Sequence, residues 1–313
     1  MRPVFADLKN DFVFRRIFAT HPELLRALLN DLLERTGEQE IDGIEYLPSE
    51  QLPIFDGAKL SILDVRCRDG QGTTFIVEVQ LLHHPGFLNR VVYNACKAYV
   101  SPLKAGEGYS KLTDVVAIAI CDFDLWPDVD QEKSGLAPVP MLSRWNMVER
   151  QSKNHGLLQV QYAFLELSKV PQKRPEKPGP DLWAWLFVHA PELDKLPDDL
   201  LAGPHRAALE LANRALFTPD ELDVYQRVND EIRQVLEIAA SKYALGKAAG
   251  KAEGQIQKSR ANILRILDRA GIALDKAERA RIESCTDLAM LDRWFDNALG
   301  AKTADDVFGA KTK

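Results

Sequence analysis

Two carboxylates in a stretch with the pattern of a β-hairpin are the side chains of this chain best placed to do chemistry. The stretch runs Leu60-Ser61-Ile62-Leu63-Asp64-Val65-Arg66-Cys67-Arg68, turns through Asp69-Gly70-Gln71-Gly72, and returns as Thr73-Thr74-Phe75-Ile76-Val77-Glu78-Val79-Gln80. Both arms are rich in β-branched and apolar residues, and the glycines mark the turn. The pairing register decides whether the acids meet. A loop centred on Gln71 sets Asp64 opposite Glu78, with Gln80 on the same face as Glu78. A two-residue turn at Asp69-Gly70 would put the two acids on opposite faces instead. Like charges opposite one another in a hairpin are unfavourable, and the apolar arms argue against two freely solvated charges. A divalent cation is the natural compensation, because hard cations take oxygen ligands and a carboxylate pair is a usual way to hold Mg2+ beside phosphate.

An Asp, a turn, and Glu-x-Gln on the next strand resemble the PD-(D/E)XK nuclease core, and more specifically the recombination-promoting nuclease (Rpn) family of transposase-like proteins. The matching segments occur in order. Asn10-Asp11-Phe12-Val13-Phe14-Arg15-Arg16-Ile17-Phe18 resembles the family's opening helix, and Leu63-Asp64-Val65 with Val77-Glu78-Val79-Gln80 its catalytic strands. Asn89-Arg90-Val91-Val92-Tyr93 lies in the following helix. Tyr109-Ser110-Lys111-Leu112 precedes the strand Val115-Val116-Ala117-Ile118-Ala119-Ile120, and Phe164-Leu165-Glu166-Leu167-Ser168-Lys169 resembles the last core strand. The ordered set, more than any one motif, carries the resemblance.

The resemblance implies a restriction-endonuclease-like α/β core and metal-dependent hydrolysis of DNA phosphodiester bonds, linked to recombination or transposition. Asp64 and Glu78 are then the metal ligands, with the Val79 carbonyl completing the shell, and Gln80 is the third catalytic residue. The wider pattern has Lys at that position. Gln offers an amide donor and acceptor but no charge, so it positions water or phosphate without stabilising an anion to the same degree. Asp11 is either a capping or dipole-favourable acid at a helix start or an additional ligand. Arg90 and Tyr93 are candidate phosphate contacts, with Lys59 a weaker one. Mg2+ or another divalent cation is the expected cofactor and DNA the expected partner. A homodimer is expected because double-strand cleavage needs two sites. The alternative is a catalytically silent DNA-binding or oligomerising scaffold of the same fold.

The elements that must position these residues follow from periodicity. Residues 11–33 repeat apolar side chains at helical spacing, with a break at His21-Pro22. A helix from about 86 to 103 carries Leu88, Val91, Val92, Ala95 and Tyr99 on one side. Residues 114–120 read as a buried central strand and 157–167 as another. The order of helix, hairpin, helix and strand is that of a mixed α/β domain. The Pro-rich stretch 171–180 reads as a loop or linker, followed by helices. A long charged helix is expected over 220–246. Gly246, Gly250 and Gly254 then make a weak helix or hinge, since each Gly costs about 1 kcal/mol relative to Ala. Beyond 259, three amphipathic segments should pack Ile263, Ile266 and Leu267 with Leu291, Trp294 and Phe295. The expected division is 1–170 as the nuclease-like α/β core, 171–245 as linker and helical extension, and 246–313 as a Gly/Lys-rich connector with a small helical module.

Other features are weaker. The net charge of −6 weighs against passive coating of nucleic acid but not against a locally basic site. Cys67, Cys96, Cys121 and Cys285 lack paired metal-type spacing and read as reduced thiols. The start lacks a signal-peptide core and no run reaches membrane-spanning length, so a cytoplasmic location is expected. His83-His84 lacks the further ligands a zinc site needs, and Asn154-His155-Gly156 is a turn. The spaced glycines are neither a P-loop nor a membrane packing motif. The basic excess of Lys242, Lys247, Lys251, Lys258, Arg260, Arg265 and Arg269 is a solvated helix face or a backbone contact to DNA.

Overall fold

The turn sets the hairpin. Asp69 Oδ1 accepts hydrogen bonds from the backbone N–H groups of Gln71 at 3.0 Å and Thr73 at 2.8 Å, and the Asp69 N–H donates to the Thr73 carbonyl. Gly72 adopts φ +91°, a conformation that favours glycine. Strand β4 (Val65–Asp69) therefore pairs antiparallel with β5 (Thr74–Gln80) as Val65↔Val77, Arg66↔Ile76, Cys67↔Phe75 and Arg68↔Thr74, the register centred on Gln71. The computed structural model of the protein describes residues 4–51, 61–103, 106–127, 135–153 and 156–309. Lys59, Asn154 and His155 lie outside the described residues.

The chain divides into two units, Met1–Ile232 and Arg233–Lys313. In the first, α1 (Asp11–Phe18) and α2 (Pro22–Leu33) precede β1 (Ile44–Tyr46). Asn10, not Asp11, caps α1, its side chain accepting from the N–H groups of Phe12 and Val13, while Asp11 is an acid in the first turn. A short pair, β2 (Glu50–Gln51) and β3 (Ser61–Ile62), leads into the hairpin. Then come α3 (Phe87–Val100), β6 (Val115–Cys121), β7 (Leu142–Val148) and β8 (Gly156–Glu166). The sheet order is β1-β4-β5-β6-β8-β7. Its centre, β5-β6-β8, is parallel and its flanks are antiparallel. Every residue of β6 is buried, as a strand covered on both faces must be.

Alternation along β5 separates two cores. Phe75 and Val77 pack with Phe14, Ile17 and Phe18 of α1, with α2, and with Trp183 and Phe187 of α4 (Pro180–His189). Ile76 packs on the other face with Phe87, Val91, Ala95 and Ala98 of α3. Glu78 and Gln80 share the parity of Ile76, so they project toward α3. The expected inner stripe of α3 is corrected in part. Leu88 and Val92 are exposed, whereas Asn94 and Lys97 are buried. Polar side chains turn inward there because they meet polar partners: Asn94 donates to Glu78 and Lys97 to the Gln51 carbonyl. Helix α5 (Pro204–Leu211) packs Ala208 and Leu209 into the opposite core, with α1, α2 and α4.

A single helix, α6 (Pro219–Arg269), runs through the stretch expected as a weak helix or hinge, so of those two alternatives the helix holds. Gly246, Gly250 and Gly254 lie inside it. Ala, Lys, Glu and Gln between them are strong helix formers, and no proline interrupts the run. In the second unit, Ile263 and Leu267 cluster with Ile282 of α7 (Lys276–Ser284) and with Leu291 and Trp294 of α8 (Leu288–Ala298). Val307 of α9 (Ala304–Phe308) joins them, and Ile266 and Phe295 pack at the margin. Among the described residues no helix is long and apolar enough to cross a membrane.

Candidate active site

The hairpin ladder stops at Val65↔Val77. Asp64 lies in a bend one residue earlier, and its Oδ2 accepts a 2.7 Å hydrogen bond from the Val79 N–H. A side-chain carboxylate thus satisfies a strand N–H that the ladder has left open. Arg15 of α1 approaches Asp64 Oδ1 at 3.4 Å and is itself held by Asp11 at 2.8 Å, four residues earlier on the helix. The sequence singled out Asp64 and Asp11; the arginine between them was missed. Its signal was the Asp-x-x-x-Arg spacing, which puts both side chains on one helix face.

Glu78 is served from α3. Asn94 Nδ2 donates to Glu78 Oε1 at 2.9 Å, and Arg90 Nη2 lies 3.5 Å from Oε2. The same guanidinium nitrogen donates to Gln80 Oε1, while Gln80 Nε2 donates to the Leu82 carbonyl at 2.9 Å. Gln80 is therefore oriented at both ends, and a cation sits against it. Asn94 was not among the expected site residues. The signal that could have found it is its position four residues after Arg90, on the same helix face.

Electrostatics mark both acids as strained in their charged form. Asp64 is pushed up from 3.8 to about 6. Burial is the main cause, the Val79 N–H opposes it, the charges of Asp11 and Glu78 add to it, and Arg15 opposes it. Glu78 is also raised by burial, against the lowering influence of Arg90 and the Asn94 hydrogen bond. A site that resists holding its own negative charges is one that a divalent cation relieves. Among the described residues no cluster of three or more His, Cys, Asp or Glu side chains could hold a metal. A cation here would rest on two carboxylates, with water or backbone oxygen filling its shell, which suits Mg2+.

The remaining sequence candidates fall elsewhere. Tyr93 is partly exposed, with the Lys97 ammonium 5.7 Å from its ring centre. The His83 ring packs edge-on against Phe123 and the His84 ring against Phe87. Lys242, Lys247, Lys251 and Lys258 are exposed on α6. Lys9, unremarked in the sequence, pairs with Asp122 at 3.0 Å, and the Asp122 N–H donates to the Gln80 carbonyl. Two open clefts, one lined by Arg35, Arg68 and Asp69 and the other by Arg35, Asp114 and Arg144, lie toward the turn end of the hairpin and contain neither acid.

A mixed sheet with a parallel centre, an Asp at the mouth of a hairpin, and Glu-x-Gln on its second strand define a restriction-endonuclease-like nuclease fold. The chain belongs to the PD-(D/E)XK nuclease family transposases, whose family model matches residues 8–234. No curated protein and no solved structure matches it. Membership implies nuclease chemistry on DNA, and nucleases of this kind generally use divalent metal ions.

Proposed function

We propose that the protein is a metal-dependent DNA endonuclease that hydrolyses phosphodiester bonds, acting in recombination or transposition. The observation that carries the reading is the Gln71-centred register, which brings Asp64 to the end of the ladder beside Glu78, in surroundings that disfavour both charges. Asp64 and Glu78 are the metal ligands. When bound, Mg2+ polarises the scissile phosphate and lowers the pKa of a water for in-line attack. The Val79 N–H fixes the Asp64 carboxylate, and Asn94 fixes that of Glu78. Gln80 orients water or phosphate through its amide. A homodimer supplies the two sites that double-strand cleavage needs, and the unpaired cysteines suit the cytoplasm.

One observation favours a second reading. All four carboxylate oxygens of Asp64 and Glu78 already have protein partners, and Gln80 brings no charge of its own. A catalytically silent DNA-binding or oligomerising scaffold is compatible with both facts. Plasmid nicking separates the two. Cleavage that requires Mg2+, stops with EDTA, and is absent from Asp64→Ala supports the nuclease. Equal behaviour of wild type and Asp64→Ala across Mg2+ concentrations supports the scaffold.

A further inference from the structure

The four partners of the two carboxylates are of two kinds. Val79 N–H on Asp64 Oδ2 at 2.7 Å and Asn94 Nδ2 on Glu78 Oε1 at 2.9 Å are hydrogen bonds of ordinary length. They come from a strand backbone and from a buried helix side chain, neither of which has room to leave. Arg15 on Asp64 Oδ1 at 3.4 Å and Arg90 on Glu78 Oε2 at 3.5 Å are long. Both come from flexible side chains that are 40% and 38% exposed. Each carboxylate is thus fixed through one oxygen and loosely neutralised through the other.

We infer that Arg15 and Arg90 are displaceable counter-ions of the metal site, marking Asp64 Oδ1 and Glu78 Oε2 as the metal-facing oxygens and moving to DNA phosphate when a divalent cation takes their place. The inference rests on the nuclease reading and deepens it. Without a metal, two part-buried carboxylates with Asp11 nearby need positive charge, and the two guanidiniums supply it. With a metal, the same positions hold too much positive charge for the arginines to stay. Each has a tether that keeps it close: Asp11 holds Arg15, and Gln80 Oε1 holds Arg90. A planar guanidinium accepts two phosphate oxygens side by side. Arg90 Nε is buried with no hydrogen-bond partner among the described residues, an unsatisfied donor that a phosphate oxygen would satisfy.

This arrangement also gives Gln80 a task. At a position where the wider pattern has Lys, the chain places a neutral amide that accepts from a helix-borne arginine. The positive charge is relocated from β5 to α3, where it rides on a longer and more mobile side chain. Gln80 is then a positioning residue for Arg90 as well as for water.

The test reads metal binding apart from cleavage. Mn2+ is titrated into full-length protein without DNA, and free Mn2+ is followed by its electron paramagnetic resonance signal. Arg15→Ala and Arg90→Ala should each bind Mn2+ about fivefold more tightly than wild type, the scale of losing one partly exposed competing ion pair. Both should cleave DNA more slowly. Arg90→Lys keeps the competing charge but loses the planar fork, so its Mn2+ affinity should match wild type while cleavage falls. Circular dichroism checks each fold, and Arg15→Ala carries the test if Arg90→Ala does not fold. Unchanged or weaker Mn2+ binding in folded alanine variants, with wild type binding normally, overturns the inference and leaves the nuclease standing. No Mn2+ binding by wild type overturns both.

Discussion

Replacing Asp64 by Asn should stabilise the metal-free protein while abolishing its cleavage. The rise of the Asp64 carboxyl from 3.8 to about 6 corresponds to about 3 kcal/mol against the ionised form in the folded state. The group is only 22% exposed, so solvent does not erase the penalty. That figure already contains the attraction of Arg15 and the Val79 hydrogen bond, and Asn keeps an oxygen for the Val79 N–H. The net gain at pH 8 is then about 3 kcal/mol. For a unit of this size that is a rise of roughly 6–12 °C in Tm.

The gain must depend on pH in one direction. Above pH 6 the wild-type carboxyl is ionised in both folded and unfolded chains, and the whole penalty is present. As pH falls from 6 toward 3.8, the folded protein takes up the proton first and the penalty disappears. Wild type and Asp64→Asn should therefore converge in acid. Thermal melts of both in EDTA at pH 8, 5 and 4 read this directly. Adding Mg2+ at pH 8 should raise the wild-type Tm and leave the variant unmoved. A variant less stable than wild type at pH 8, or a gain that does not shrink in acid, would refute the reasoning.

Further outcomes are expected from variants of the site, the turn and the second unit. Glu78→Ala should eliminate Mg2+-dependent nicking with the fold intact by circular dichroism, and Gln80→Ala should lower the rate less severely. Gln80→Lys introduced into Arg90→Ala should recover part of the lost nicking rate, since it returns a positive charge to the end of β5. Asp69→Ala should destabilise the protein by about 1–3 kcal/mol in urea unfolding, because it removes the acceptor of two turn N–H groups and the partner of Arg35 at 3.6 Å. A chain ending near Gly246 should keep metal-dependent nicking but lose self-association or DNA affinity in light scattering and salt-dependent binding. It retains the contacts of Tyr225 to Asp7, Asn229 to Asn10 and Glu221 to Arg16. Loss of cleavage from a folded, dimeric truncation would place part of the active site beyond it.

What was legible in the sequence was what is local. The hairpin register follows from Asp69, Gly72 and the loop length, all within a few residues. β6 was legible as an unbroken apolar run and the second unit's core as a helical stripe. The edge strand β7 was not, because all but two of its residues are exposed and no alternation records an inner face. α3 misled in an instructive way. A hydrophobic pattern places Leu88 and Val92 inside, yet Asn94 and Lys97 take the buried positions because the groups they meet are polar. Arg15 and Asn94 join the site through contacts 49 and 16 residues away in the chain, and their local signals, the four-residue spacings to Asp11 and to Arg90, name no distant partner. The sequence left a weak helix and a hinge open over the three glycines, and α6 runs through them because glycines weaken a helix without ending it.

The turn between β4 and β5 has a consequence for how this chain can change. Surface loops usually tolerate insertion and deletion well. This one does not share that freedom, because its length is the gauge that sets Asp64, one residue before β4, against Glu78 on β5. One added residue taken up as a register slip would exchange the faces of a strand and send Glu78 away from α3. Two added residues would restore the faces but slide one acid past the other by about 7 Å, too far for one cation to hold both. Variation in the lineage of such proteins should therefore accumulate in the other loops, while this short segment keeps its count of residues even where their identities drift.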